Sequence, residues 1–127
     1  MTYTGTTITR WQPWTYRDQG FLGKNLTGFK IDALDGEIGK VDEATFESGS
    51  SYLIVDTGPW IFGRKVMLPA GVVSRVDHQN KRVWVDRTKD QIKNAPEFDE
   101  SMLSDVTYRE RLGTYYGEGG PGWHAGA

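Results

Sequence analysis

The sequence predicts a mainly β protein, an antiparallel barrel or sandwich of about six strands, with helix only after the last strand. Three observations carry this. Six short runs rich in Val, Ile, Leu or aromatics follow one another between residues 28 and 99, each bounded by turn residues. An Asp35-Gly36 pair separates the first two runs, a strong short-range hairpin signal. Sixteen glycines in 127 residues favour turns and short strands over long helices, and the spacing of the runs leaves little room for crossover helices.

Along the chain, residues 1–24 form an irregular arm rich in Thr, Gly and aromatics, including Trp11, Trp14, Tyr16 and Phe21. The barrel segment, residues 25–100, opens with FKIDAL and EIGKVDEATF around the hairpin, and Gly39 marks a bulge or bend that would curl the sheet. SYLIVDT, RKVMLP, VVSRVD and KRVWVD follow. Pro69 closes its strand, and His78 to Lys81 read as a polar hairpin turn. Thr88-Lys89-Asp90-Gln91 fits a capping box, predicting a short helix through Asn94 that Pro96 ends. Residues 101–127 hold a second helix, started by Ser101 or Ser104 and stopped by Gly113, with Leu103, Val106 and Leu112 on one face. A Gly-rich tail, expected to be flexible, follows it.

DGEIGKV (Asp35 to Val41), YLIVDTG (Tyr52 to Gly58), VMLPAGVV (Val66 to Val73) and VDRTKDQIKNAPEFD (Val85 to Asp99) together resemble the PRC-barrel family. That family includes the cytoplasmic part of the photosynthetic reaction centre H subunit and the C-terminal domain of a bacterial ribosome-maturation factor. It also includes small stand-alone bacterial and archaeal proteins. With no apolar run of membrane-spanning length and no preceding RNA-binding domain, the chain looks most like the stand-alone members. The resemblance implies a small antiparallel PRC-type β-barrel that binds other macromolecules, with no shared catalytic residues and no cofactor.

The residues themselves point away from catalysis. There is no cysteine, and the two histidines, His78 and His124, lie in a turn and a tail without triad or metal-ligand spacing. Asp32, Asp35, Glu37, Asp42 and Glu43 cluster near the first hairpin. Alternate side chains of a strand face opposite ways, so Asp42 and Glu43 are not expected to share an ion, and Asp35 is expected to serve its own turn. The chain is therefore expected to be no enzyme and to hold no metal. Lacking cysteine, a signal-like apolar start and a membrane span, it is expected to be cytoplasmic.

The most informative stretch is DTGPWIFGRK, residues 56–65, where Trp60, Ile61 and Phe62 stand between turn residues. Side chains diverge along a chain, so three consecutive residues cannot all enter one barrel. At least one needs cover from the chain's own aromatic arm, a second copy or a foreign protein. Trp60, Ile61 and Phe62, with Trp11, Trp14 and Trp123 in the extensions, are the candidate protein-interaction residues, and the expected partner is first another copy of the chain. A ribosome- or RNA-associated factor is the alternative, with Arg64, Lys65, Arg82 and Arg87 as contacts. The formal charge of −2 and the acidic neighbours of these cations argue against it. A small-ligand carrier using the barrel interior is the third reading, and few strands leave it little room.

Overall fold

The protein's structure, a computed structural model, describes residues 11–21, 25–61 and 64–119. Strands β1 (Lys30–Ala33), β2 (Gly36–Ala44), β3 (Tyr52–Asp56), β4 (Lys65–Pro69), β5 (Val73–Asp77) and β6 (Arg82–Val85) form one sheet in the order β4-β3-β2-β1-β6-β5. Helices α1 (Lys89–Lys93) and α2 (Val106–Thr114) follow. Inward side chains from every strand, among them Ile31, Ile38, Leu53, Leu68, Val73 and Val83, belong to one buried cluster. The architecture is thus mainly β and barrel-like, as the sequence predicts.

Two features depart from a closed antiparallel barrel. β1 and β6 pair in parallel, with Ile31 opposite Val83 and Asp32 opposite Trp84. All other pairs are antiparallel. The reason is parity. Successive hairpins make β1 and β3 run one way and β2 and β4 the other. From β4 the chain rounds a 3-10 turn at Ala70–Val72 and continues into β5 without reversing. β6 therefore ends up running with β1. The second departure is closure. β4 and β5 are the two edges of the sheet, joined through that turn rather than by a ladder, so the ring of strands has an open seam.

β2 supplies the curvature. Its register shifts at Ile31/Asp32 and again at Val41/Glu43, and each shift adds one residue to β2. Its inward residues consequently fall at Ile38, Val41 and Ala44, three apart instead of two. Gly39 lies between them at φ +143°, and a Cβ there would overlap the Asp56 carbonyl oxygen. The expected bend at Gly39 is real, and it is set by this contact with β3. The bulge at Asp42 also corrects the reading of the acidic pair, because Asp42 and Glu43 are both exposed.

Local chemistry explains the remaining elements. The first hairpin turns at Leu34 and Asp35, with Ala33 paired to Gly36, one residue earlier than the Asp-Gly signal suggests. Asp35 does not serve its own turn: its carboxylate accepts the Lys89 amide at 2.8 Å and so ties the hairpin to α1. Thr88 caps α1 with both halves of the capping box in place. The His78–Lys81 turn is organised by the Asp77 carboxylate, which accepts the Gln79 and Asn80 amides. Asp105, not a serine, caps α2. Its buried face is Tyr108 and Leu112, whereas Val106 is exposed. Gly113 does not stop the helix, which continues into a π-turn at Tyr115–Gly119.

Buried phenols, Tyr16, Tyr108 and Tyr116 foremost, give the fold a defined alkaline limit. Burial raises the pKa of Tyr16 and Tyr116, and that of Tyr108 to about 12. In the unfolded chain all three ionise near 10. The native state therefore retains protons that the unfolded chain releases, so stability is complete below about pH 10 and falls as pH rises through 12. In an alkaline titration, phenolate absorbance from these three tyrosines should appear together with loss of the circular-dichroism signal, not ahead of it.

Candidate functional site: the 56–61 loop and its cleft

The question raised by three large apolar residues at a bend is answered by Thr57. It is buried, and its hydroxyl stands 2.8 Å from the Ile61 carbonyl oxygen and 2.7 Å from that of Arg64. One hydroxyl proton thus serves two acceptors on the far limb of the loop. The Asp56 carboxylate accepts the Gly58 amide at 2.9 Å, and the Trp60 amide donates to the Thr57 carbonyl at 3.1 Å. With its backbone fixed, the loop divides its side chains. Ile61 turns inward and is 9% exposed. Trp60 stays half-buried against the core edge, and the Lys89 ammonium lies 5.7 Å from its ring centre. Phe62 lies outside the described residues.

Beside Trp60 is a cleft of about 380 Å³, lined from β2 by Glu37, Ile38, Gly39 and Lys40 and from the loop by Asp56 to Trp60. Gly39 and Gly58 contribute only backbone to its lining. The walls are largely carbon, with the Glu37 and Asp56 carboxylates and the Lys40 ammonium at the rim. Burial has already been achieved by the loop's own hydrogen bonds, so the cleft is preformed rather than assembled by a ligand.

The aromatic arm packs within its own chain. Trp11 donates from Nε1 to the Gly113 carbonyl at 2.8 Å, and its ring lies 5.4 Å from the Arg87 guanidinium. The Pro13 and Trp14 carbonyls accept the Gly71 and Ser51 amides at 2.8 and 2.9 Å. The Trp14 ring faces Arg109 of α2, which also stacks on Tyr52 of β3. Three glycines form the seat: side chains at Gly71 or Gly117 would collide with residues 11–13, and one at Gly113 would crowd Pro13 and Trp14. Arg17 fastens the far end through the Gly71 carbonyl and Asp86. The arm thus lies against the Ala70–Val72 turn, Ser51 at the start of β3, and α2. Trp123, expected to act with it, lies outside the described residues.

The four basic side chains expected as RNA contacts are all engaged. Arg87 is 3% exposed, and its guanidinium donates to Asp86 and to the Tyr116 carbonyl. Burial lowers its pKa, opposed by the charge of Asp86. It is a structural cation beneath the arm, unavailable to a phosphate. Arg82 pairs with Asp32, and Lys65 with Asp42 at 2.9 Å, each contact raising the cation's pKa. Arg64 faces Glu97 at 3.8 Å.

Sequence reasoning missed Thr57, Lys89 and the three seat glycines. Thr57 carries a weak signal, a threonine between Asp and Gly at a strand end, where hydroxyls bond to nearby backbone. The glycines carry none, since their partners lie far away in sequence.

Fold and site together define a mainly β, barrel-like protein with a preformed, largely apolar cleft at one end. No family model and no curated protein matches the chain. Among solved structures, the crystal structure of a Pseudomonas aeruginosa protein named for 16S ribosomal RNA processing, RimM, aligns with a TM-score of 0.43 and 23% identity. The alignment covers 51% of this chain and 42% of that one, so it spans less than half the length of the RimM chain.

Replacing Thr57 by Val keeps shape but removes the hydroxyl donor from the Ile61 and Arg64 carbonyls, of which Ile61 keeps the Arg64 amide. Thr57→Val should cost about 1–3 kcal/mol in urea unfolding and should open the 56–64 segment to limited proteolysis before global unfolding. An unchanged midpoint and cleavage pattern would show that the hydroxyl does not hold the loop.

Proposed function

We propose that the chain is a non-catalytic interaction and assembly module of the PRC-barrel type that associates with itself through the 56–61 loop. The observation that carries this reading is the half-buried Trp60 ring forming one wall of a preformed cleft. Among the described residues, the Lys89 side chain approaches the ring and leaves it half-buried at the edge of the cleft. A tryptophan held rigidly at the edge of an apolar cleft is the type of anchor around which protein interfaces are built.

Competing readings have less support. The inward side chains Ile31, Leu53, Leu68, Val72 and Val83 fill the centre of the sheet, which argues for a packed core over a carrier's cavity. The cations that an RNA-associated factor would use are each held by a carboxylate, and Arg87 is buried. What favours self-association over a foreign partner is the economy of one interface. A rigid apolar cleft on a protein of this size can be covered by a second copy.

Light scattering over a range of protein concentration tests the reading. The full chain should show a mass above the monomer, and Trp60→Ser should return it to the monomer with its circular dichroism unchanged. A full chain that is monomeric at every concentration, with or without Trp60, would overturn it.

A further inference from the structure

Two separate structural demands meet at the tip of the first hairpin, and together they install a chemically reactive dipeptide. Gly36 opens β2 at φ +140°, a conformation that L side chains rarely adopt, and a Cβ there would stand 3.3 Å from the Lys89 side chain. Asp35 is held for its carboxylate, which accepts the Lys89 amide at 2.8 Å and ties the hairpin to α1. The result is the one Asp-Gly dipeptide of the sequence, which contains no Asn-Gly.

An aspartate followed by glycine is prone to backbone rearrangement, because no side chain shields the nitrogen that follows it. That nitrogen bonds to the aspartate side-chain carbon and closes a five-membered imide. One carboxyl oxygen leaves as water, taking the amide proton and the carboxyl proton. Solvent water then opens the imide. Opening at the side-chain carbonyl returns aspartate, and opening at the main-chain carbonyl leaves the chain running through the side chain as isoaspartate. One water leaves and one enters, so the product is an isomer and the reaction needs nothing but solvent.

We propose that Asp35-Gly36 is a site of spontaneous rearrangement to isoaspartate, and that the fold holds it closed through the Lys89 amide. Asp35 is exposed and Leu34 beside it is 61% exposed, so solvent reaches the dipeptide. Ring closure requires the Asp35 carboxyl to turn onto the Gly36 nitrogen. In the folded chain that carboxyl is bonded to Lys89, Gly36 is in register with Ala33, and the Leu34 amide donates to the Arg87 carbonyl at 2.9 Å. The reaction therefore runs from an opened tip, not from the native hairpin. Isoaspartate adds one backbone carbon between residues 35 and 36 and shifts the free carboxylate, so the native tie to α1 is lost. Glu37 and Ile38, next along β2, line the cleft beside Trp60, which places the change at the edge of the cleft.

The test is the rate of isoaspartate formation in the full chain kept in warm, near-neutral buffer, counted by enzymatic methylation and located by fragmentation mass spectrometry. The folded chain should form it at least about tenfold more slowly than the same chain in urea, the factor set by one hydrogen bond to a charged group. Lys89→Pro removes the amide donor at the first helical position, where proline is accepted and Thr88 before it is already extended. With its circular dichroism unchanged, this variant should rearrange about tenfold faster than the parent. Lys89→Ala keeps the amide and should react at the parent rate. Equal rates for the parent chain folded and in urea would overturn the proposal whatever the variants do. A folded Lys89→Pro at the parent rate, or Lys89→Ala as fast as Lys89→Pro, would overturn it too, because the restraint would then not be that amide.

Discussion

The structure depends on one close approach, that of the Gly39 backbone to the carbonyl of Asp56. A β2 strand of nine residues must bend sharply to reach both β1 and β3, and it does so by taking up two additional residues. Those bulges re-space its inward side chains, and the bend between them brings β2 onto the end of β3. Where the strands meet, no Cβ can be accommodated. The loop and the cleft start from that point: Asp56 and Thr57 open the loop, and Gly39 lines the cleft beside Trp60.

A second constraint holds the seam of the sheet. The sheet has a seam between β4 and β5, and the chain covers its end with its own N-terminal segment. Packing residues 11–14 so close to neighbouring backbone is possible because Gly71, Gly113 and Gly117 stand where a side chain would crowd them. The buried Arg87 is part of the same solution. Its charge is balanced by Asp86, its donors reach the C-terminal turn, and Trp11 lies over it. The arm occupies the seam with Trp11 and Trp14 half-buried, while beside the 56–61 loop Trp60 is half-buried and Leu34 is exposed.

Much of this was legible in the sequence, and what was not has physical causes. Short strands could be read because alternation and turn residues are local signals. The capping box at Thr88 was found for the same reason. The direction of β6 was not legible, because it depends on whether one 3-10 turn reverses the chain. The face of α2 was misjudged because its partners, the arm and β3, are distant in sequence. At the site, the anomaly of Trp60 and Ile61 was plain. Their separation into a half-buried wall and a buried plug was not, because it is made by a hydroxyl and two carbonyls. Arg87 looked like a surface cation, as arginines next to aspartates usually are. Burial of its whole side chain follows from the arm, whose position the local sequence does not encode.

The most direct measurement is the equilibrium unfolding of Gly39→Ala beside Gly49→Ala. Both glycines have positive φ, but Gly49 has open space around it while Gly39 meets the Asp56 carbonyl. If the close approach shapes the fold, Gly39→Ala should lose about 3 kcal/mol or more and Gly49→Ala only about 1 kcal/mol. Equal, small losses at the two positions would contradict the account, because β2 could then bend without touching β3.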